Sequence, residues 1–348
     1  HLSIRRQRQM CIRDSDSRLA VALIRRQGIE VLGLSYNVGF SQSLFRRLVA
    51  GEGSTRDWLD ERERQLAASL GVPVECIDIS VEYLDLLVDP PHGFGANVNP
   101  CIDCRIFMLR HARRRMTETG ASFIFTGEVL GQRPMSQHQR AMDTVERESG
   151  LEGRLLRPLS ARLLLPTIPE REGLVDRERL LDIRGRSRRR QMELARELDI
   201  GEYPAPAGGC ALTDIPYAAK LRDLVAGREP PAITREEAVL LSMGRHFRVS
   251  PSARLVVGRN RAENEYLERR WAGEWLAVTV SVPGPTTLVL GRPDESELET
   301  AARITARYSD GREHPPVSIA LRGGGEERIV EAYPASDEEI DRYRIPGV

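Results

Sequence analysis

The sequence predicts an α/β fold: a parallel sheet with helices on both faces, followed by a C-terminal α+β domain. Three observations predict it. Short apolar runs alternate with amphipathic helical periodicities through the first half of the chain, as strands joined by crossover helices do. The 348 residues are 41% apolar, enough for real cores, and their length suits about two domains. After about Thr234 the pattern changes to strands separated by single helices.

The composition narrows the function classes. No apolar run is long enough to span a membrane, and the polar, arginine-rich first residues carry no secretory signal. Five cysteines without a regular framework fit a reducing cytosol, so a cytoplasmic location is expected, with no membrane partner. The net charge is zero, so bulk charge announces no nucleic acid. Lys220 is the only lysine, and contacts to phosphate would therefore be mostly guanidinium contacts.

Taken in order, residues 1–15 show neither strand nor helix periodicity. Gln7 to Ser15 resembles a translated sequencing-adapter remnant. The segment is expected to be an artefact or a disordered terminus, which leaves Cys11 out of the chemistry. Asp16-Ser17 opens a helix carrying Leu19, Leu23 and Ile24; Gly28 closes it, and Ile29 to Leu34 is a strand. A helix over Thr55 to Leu70 leads to the strand Val74 to Ile79, where Cys76 is expected to be buried. Then come a short helix near Glu82 to Val88, a loop from Pro90 to Pro100, a cysteine-bearing helix, and strands at Ser122 to Thr126 and Leu155 to Leu159. Asp176 to Ile183 and Ser187 to Leu198 read as helices, and the Arg184-to-Arg190 run between them as a solvated face. Residues 16–206 form the first domain, and 207–233 a loop and helical linker. Residues 234–348 form the second domain, with strands near Arg254, Trp275, Thr287, Val317 and Arg328. Parallel sheets bind ligands at the carboxyl ends of their strands, the edge that would hold Asp16, Leu34, Ser35 and Gly127.

The strongest local feature is Asn99-Pro100-Cys101-Ile102-Asp103-Cys104. Asn99 and Pro100 end any preceding element, and Ile106, Leu109 and Ala112 give the following helix one apolar face. Both thiols thus fall near a helix N-terminus, where the backbone dipole favours the thiolate, the form that is nucleophile and metal ligand. Cys210 lies in the flexible turn Pro206-Ala207-Gly208-Gly209-Cys210, which can return a third thiol to the pair. The plainer alternative is a structural or redox pair, with Cys210 a small buried residue.

Gly127-Glu128-Val129-Leu130-Gly131-Gln132 with Ser136-Gln137 follows a strand and resembles the corresponding loop of tRNA 4-thiouridine synthases. Asn99 to Cys104 resembles the catalytic-cysteine loop of tRNA 2-thiouridylases. Both families belong to the PP-loop (HUP-type) ATP pyrophosphatases. Their Ser-Gly-Gly-x-Asp-Ser signature is matched by Asp16-Ser17 in its last two positions, while its Ser-Gly-Gly half and first strand are absent. Val257-Gly258-Arg259-Asn260, Asn264, Val282-Pro283-Gly284 and Tyr308-Ser309 follow the pattern of an NFACT-type RNA-binding domain.

These resemblances imply an ATP-dependent, Mg²⁺-assisted tRNA sulfurtransferase that adenylates a uridine carbonyl and then delivers sulfur from a donor of unknown identity. Asp16, Ser17, Leu34, Ser35, Gly127 and Glu128 would bind ATP; Gln132, Ser136 and Gln137 would contact substrate or brace the loop. Arg259, Asn260 and Asn264 would bind RNA. For sulfur transfer, Cys101, Cys104 and Cys210 would hold three irons of a [4Fe-4S] cluster. Alternatively Cys104 would carry a persulfide that Cys210 resolves. A zinc site completed by His92 or His111 is a further option. Two other readings are a non-catalytic RNA-binding protein with a decayed PP-loop, and a pyrophosphatase acting on a small molecule.

Overall fold

The computed structural model describes residues 7–11, 15–200, 209–226, 228 and 232–345. The chain divides into two compact units, His1–Ser41 with Thr55–Cys210, and Gln42–Ser54 with Ala211–Val348.

In chain order the elements of the first half are β1 (Gln7–Cys11), α1 (Ser15–Arg25), β2 (Glu30–Asn37) and α2 (Gln42–Ala50), the last belonging to the second unit. They continue with α3 (Thr55–Leu70), β3 (Val74–Asp78), α4 (Ser80–Val88), α5 (Cys101–Thr119) and β4 (Ile124–Thr126). The unit ends with α6 (Gln139–Glu148), β5 (Leu155–Leu156), α7 (Ile168–Arg171) and α8 (Arg189–Glu197). The five strands form an all-parallel sheet in the order β3-β2-β1-β4-β5. Strand alternation sends Phe123 and Phe125 to one face, against Ala20, Val21, Ile24 and Leu70, and Ile124 to the other, against Ile106, Leu109 and Val145. Both faces are thereby covered, as a parallel sheet requires.

The expected architecture holds, and several local expectations do not. Residues 7–11, expected to be artefactual or disordered, form the central strand. Gln7 pairs with Glu30 and Gln9 with Ile124, so the backbone is bonded on both sides. Sequence patterning missed it because a ladder is a backbone property, and its polar residues show no apolar run. Residues 12–14, where the Ser-Gly-Gly half of the signature would stand, lie outside the described residues.

Leu34 was expected at the strand end, but β2 runs on to Asn37. Leu34 is fully buried with Ile106, Leu109 and Ala112, so it packs the core instead of flanking a nucleotide. Cys76 is only half-buried, because β3 is an edge strand. Asp176 to Ile183 is not a helix beyond a single turn at Arg177–Arg179. Its backbone instead runs beside residues 158–159, with Leu181 N–H on the Pro158 carbonyl and Ile183 N–H on that of Leu159. The strand expected to reach Leu159 stops at Leu156, and no helix was anticipated at α2 or α6.

The second unit contains α2, α9 (Ile215–Val225), α10 (Arg235–Leu241), β6 (Arg245–Arg248), β7 (Ala253–Val257), α11 (Arg261–Arg270) and β8 (Trp275–Thr279). It is completed by β9 (Thr286–Gly291), α12 (Glu295–Arg307), β10 (Val317–Gly323), β11 (Glu326–Ala332) and α13 (Asp337–Tyr343). Its six strands form an antiparallel sheet in the order β11-β10-β8-β9-β7-β6. Leu298, Ala301, Ala302 and Ile304 of α12 cover one face. Helix starts are capped by side chains, with full capping boxes at Thr234, Asp294 and Ser336. Lys220 is buried. Its Nζ donates to the carbonyls of Leu241 at 3.1 Å and of Met243 and Gly244 at 3.4 Å, ending α10. Burial and the nearby Arg259 and Arg254 push its pKa down to about 8.

If Leu34 is core, Leu34→Ala should destabilise the first unit by about 3 kcal/mol, the usual cost of such a cavity. Urea unfolding measures this, and unchanged stability would return Leu34 to a surface role.

Candidate functional site

Strand order reverses between β1 and β4, and in open α/β sheets ligands lodge at the carboxyl ends of strands at such a point. Two chain segments meet there. Asp16 and Ser17, in the first turn of α1, are each 1% exposed. Gly127, directly after β4, packs on them. A Cβ at 127 would lie 2.4 Å from the Ser17 nitrogen and 2.6 Å from the Asp16 carbonyl carbon, so any side chain there would collide with backbone. A helix N-terminus held open beside bare backbone is an arrangement suited to phosphate.

The loop after Gly127 closes over this end. Gln132 Nε2 donates to Asp16 Oδ2 at 2.9 Å, and Gly131 N–H donates to the Gln137 carbonyl at 2.6 Å. Ser136 and Gln137 are buried. Gln132 Oε1 and Gln137 Oε1 are buried with no hydrogen-bond partner among the described residues. Each unsatisfied acceptor costs roughly 1–3 kcal/mol. Amino and hydroxyl donors, such as those of a nucleoside, would offset that cost. The residues present therefore fit a nucleotide, with Asp16 as the carboxylate that would hold a Mg²⁺ ion.

Glu128 plays a different part from the expected nucleotide contact. It is buried, with Oε1 3.4 Å from Arg105 and Oε2 accepting from Arg157 at 3.2 Å and Thr126 at 3.1 Å. Arg157 also donates to Glu146 at 2.7 Å. Burial alone would push the Glu128 carboxyl up, but Arg105 and Arg157 hold it below its ordinary value. Glu128 thus ties α5 to the end of β4. Sequence reading missed Arg105 and Arg157 because nothing local marks an arginine whose partner comes from another element. Ser35 is likewise engaged, accepting from Arg62 Nε at 3.4 Å.

The cysteines stand at the same edge of the sheet. Cys101 begins α5 and is half-buried, and Cys104 is buried one turn on. The loop before them is clamped by His92, whose backbone N–H donates to Asp103 Oδ2 at 3.0 Å and whose Nδ1 lies 2.7 Å from Asp103 Oδ1. His92 Nε2 faces Glu148 at 3.3 Å, so both ring nitrogens are occupied. The Asp103 hydrogen bond raises the His92 pKa. Cys210 forms an isolated bridge with Ser41, just past the end of β2, and this returns the third thiol to the carboxyl edge.

Among the described residues no three histidine, cysteine or acidic side chains converge to hold a metal ion. His92 and His111 complete no zinc site among the described residues. His111 instead faces Glu82 at 3.1 Å.

In the second unit the three expected RNA contacts are engaged internally. Asn260 caps α11 by accepting from Glu263 N–H, and Asn264 donates to the Gly284 carbonyl and accepts from Thr286 N–H. Arg259 pairs with the buried Glu263 at 2.7 Å.

Comparison with known proteins gives two partial likenesses. Residues 244–344 match the family described as the NFACT protein RNA binding domain. Part of the chain is similar to tRNA-specific 2-thiouridylases MnmA. Identity is 30% over 116 residues with that of Syntrophotalea carbinolica, covering 32% of this chain and 31% of that protein. It is 29% over 119 residues with that of Trichlorobacter lovleyi, covering 33% and 31%. The chain thus spans about a third of the length of these curated relatives. Among solved structures, a predicted subunit of tRNA methyltransferase from Methanocaldococcus jannaschii aligns with 44% of this chain and 67% of its own. Its identity is 12% and its TM-score 0.29.

Glu128→Gln would leave the buried Arg105 without its carboxylate and Arg157 with Glu146 alone, and should cost about 3 kcal/mol at neutral pH. Because the folded pKa is lowered, the Glu128 contribution is complete above the ordinary carboxylate range and is lost as pH falls through the folded value. The acid limb of the stability–pH curve should therefore be shallower in the variant. Curves of identical shape and height would show that the network contributes nothing.

Proposed function

We propose that this chain carries out ATP-dependent thiolation of a tRNA uridine. The observation that carries the reading is the meeting of three parts at one sheet edge. These are the α1 N-terminus against Gly127, the glutamine loop with its unfilled acceptors, and the thiols of Cys101, Cys104 and Cys210. The partial likeness to tRNA-specific 2-thiouridylases and the match to an RNA-binding domain support tRNA as the substrate.

A uridine carbonyl oxygen attacks the α-phosphorus of ATP and pyrophosphate leaves, so the oxygen departs later as AMP. The α1 N-terminus, Ser17 and the backbone at Gly127 receive the phosphates, while Gln132 and Gln137 take donors of the nucleoside. Sulfur then arrives on Cys104 as a persulfide filled by an external donor. Its terminal sulfur attacks the activated ring carbon and AMP is expelled, leaving a disulfide between uridine and Cys104. The Cys210 thiolate attacks the Cys104 sulfur, the thiouridine is released, and a Cys104–Cys210 disulfide remains for an external thiol to reduce. Cys101 has no step in this relay, whereas a four-iron cluster would need it.

Mass spectrometry of tRNA nucleosides after incubation with ATP, Mg²⁺ and a persulfide donor tests the reading. Cys104→Ser and Cys210→Ser should each lose at least a hundredfold in thiouridine formed, and Cys101→Ala should stay within a few-fold of wild type without iron. An inactive Cys101→Ala variant, together with roughly four irons per chain in anaerobic protein, would replace the relay with the cluster. Replacing Ile12-Arg13-Asp14 by Ser-Gly-Gly should tighten ATP binding in calorimetry. Equal affinity would show that the present turn already serves.

A further inference from the structure

Among the arginines around β6, β7 and α11, most are neutralised by an acid. Arg248 pairs with Asp223 at 2.7 Å, Arg259 with Glu263 at 2.7 Å and Arg261 with Glu265 at 2.6 Å. Arg245 differs. It lies on the edge strand β6, paired through its backbone with Val257, and its guanidinium makes no hydrogen bond or ion pair among the described residues. Its guanidinium carbon instead sits 4.5 Å from the centroid of the Tyr308 ring. Tyr308 is itself fixed, with its hydroxyl accepting from Arg344 at 3.0 Å and its ring 6.2 Å from that of Phe247. The charge is therefore preorganised on a rigid platform.

Arg245 and Tyr308 line a groove of about 360 Å³. Its walls include two glycines, Gly258 and Gly284, at which a side chain would collide with packed neighbours. A Cβ at Gly258 would lie 2.0 Å from Asn264 Oδ1, and one at Gly284 would lie 2.6 Å from Thr279 Cγ2. Asn264 holds the two turns together by its bonds to the Gly284 carbonyl and Thr286 N–H. Two acids reach the groove, but Glu265 is taken by Arg261, and Glu268 accepts from the Thr286 hydroxyl at 2.8 Å. Glu268 keeps its charge, and Arg245 is the guanidinium of the groove with no carboxylate partner among the described residues.

We propose that this groove seats a phosphodiester of an RNA strand, with Arg245 as its cationic contact. The proposal rests on the RNA-binding reading of this domain and assigns the contact to a residue other than Arg259, Asn260 or Asn264, which brace the groove from within. A phosphodiester carries a single negative charge, which the acid-free guanidinium of Arg245 can pair. Arginine also presents a planar donor edge to phosphate while its face stays on the ring.

The experiment measures tRNA binding to the full chain across a series of salt concentrations, without ATP or sulfur donor, so thiolation activity does not enter. Arg245→Ala should weaken binding about tenfold. It should also reduce the slope of log affinity against log salt by about 0.7–0.9, the loss of one phosphate contact. Arg245→Lys keeps the charge and should keep the slope while losing part of the affinity. Arg292→Ala, which removes an exposed arginine outside the groove, should stay within twofold. Near-ultraviolet circular dichroism checks that each variant is folded, and the lysine variant alone decides the matter if the alanine variant is not. Competition by millimolar inorganic phosphate as strong as that by RNA would make this a free-phosphate site and overturn the RNA assignment. Unchanged affinity and slope in Arg245→Ala would overturn the groove while leaving the domain an RNA binder. No tRNA binding by the wild type, even at low salt, would overturn both.

Discussion

The first unit depends on one buried charge cluster. Glu128 stands at the end of β4 with a guanidinium on either side, Arg105 from the cysteine helix and Arg157 from the chain beyond β5. None of the three tolerates burial alone, since an uncompensated charge in a dry interior costs several kcal/mol. Together they position one another. Arg105 follows Cys104 in sequence, and Glu128 follows Gly127. The same contact that neutralises the carboxylate therefore sets the thiol-bearing turn in register with the glycine that packs on α1.

That coupling gives the carboxyl edge its chemical character. Gly127 lets backbone approach α1 more closely than any side chain permits, and Gln132 reaches back to Asp16. The cost of this compactness is visible in the two glutamine oxygens left without donors. Polar atoms buried unsatisfied are rare in folded proteins, and the two in this short loop are the ones that the proposed nucleotide would satisfy. The His92–Asp103 clamp performs the corresponding task for the cysteine loop, fixing the turn that leads into Cys101 and Cys104.

The second unit solves a different problem. Its sheet is antiparallel, and α12 covers one face. The residues that the sequence pattern singled out there, Arg259, Asn260 and Asn264, turn inward to a carboxylate, a helix cap and a pair of turns. A conspicuous motif thus builds the scaffold of the groove, while the guanidinium without an acid partner belongs to Arg245, which no motif announced.

What the sequence by itself determined were the features written locally. Alternating apolar strands and amphipathic helices made the fold class legible. Asp16-Ser17, Gly127 and the Cys101–Cys104 turn were legible because a helix start, a bare turn and a helix-borne thiol pair each depend on a few consecutive residues. Only the tertiary structure decided the rest, because it depends on partners distant in sequence. Gln7–Cys11 became a strand through two neighbours that supply its ladder, although its side chains show no strand pattern. Leu34 became core because β2 extends to Asn37 under α5, and Glu128 became a brace because two arginines converge on it. Hydrogen bonds and ion pairs are satisfied in space, and the chain carries no local record of which side chain will arrive to satisfy them.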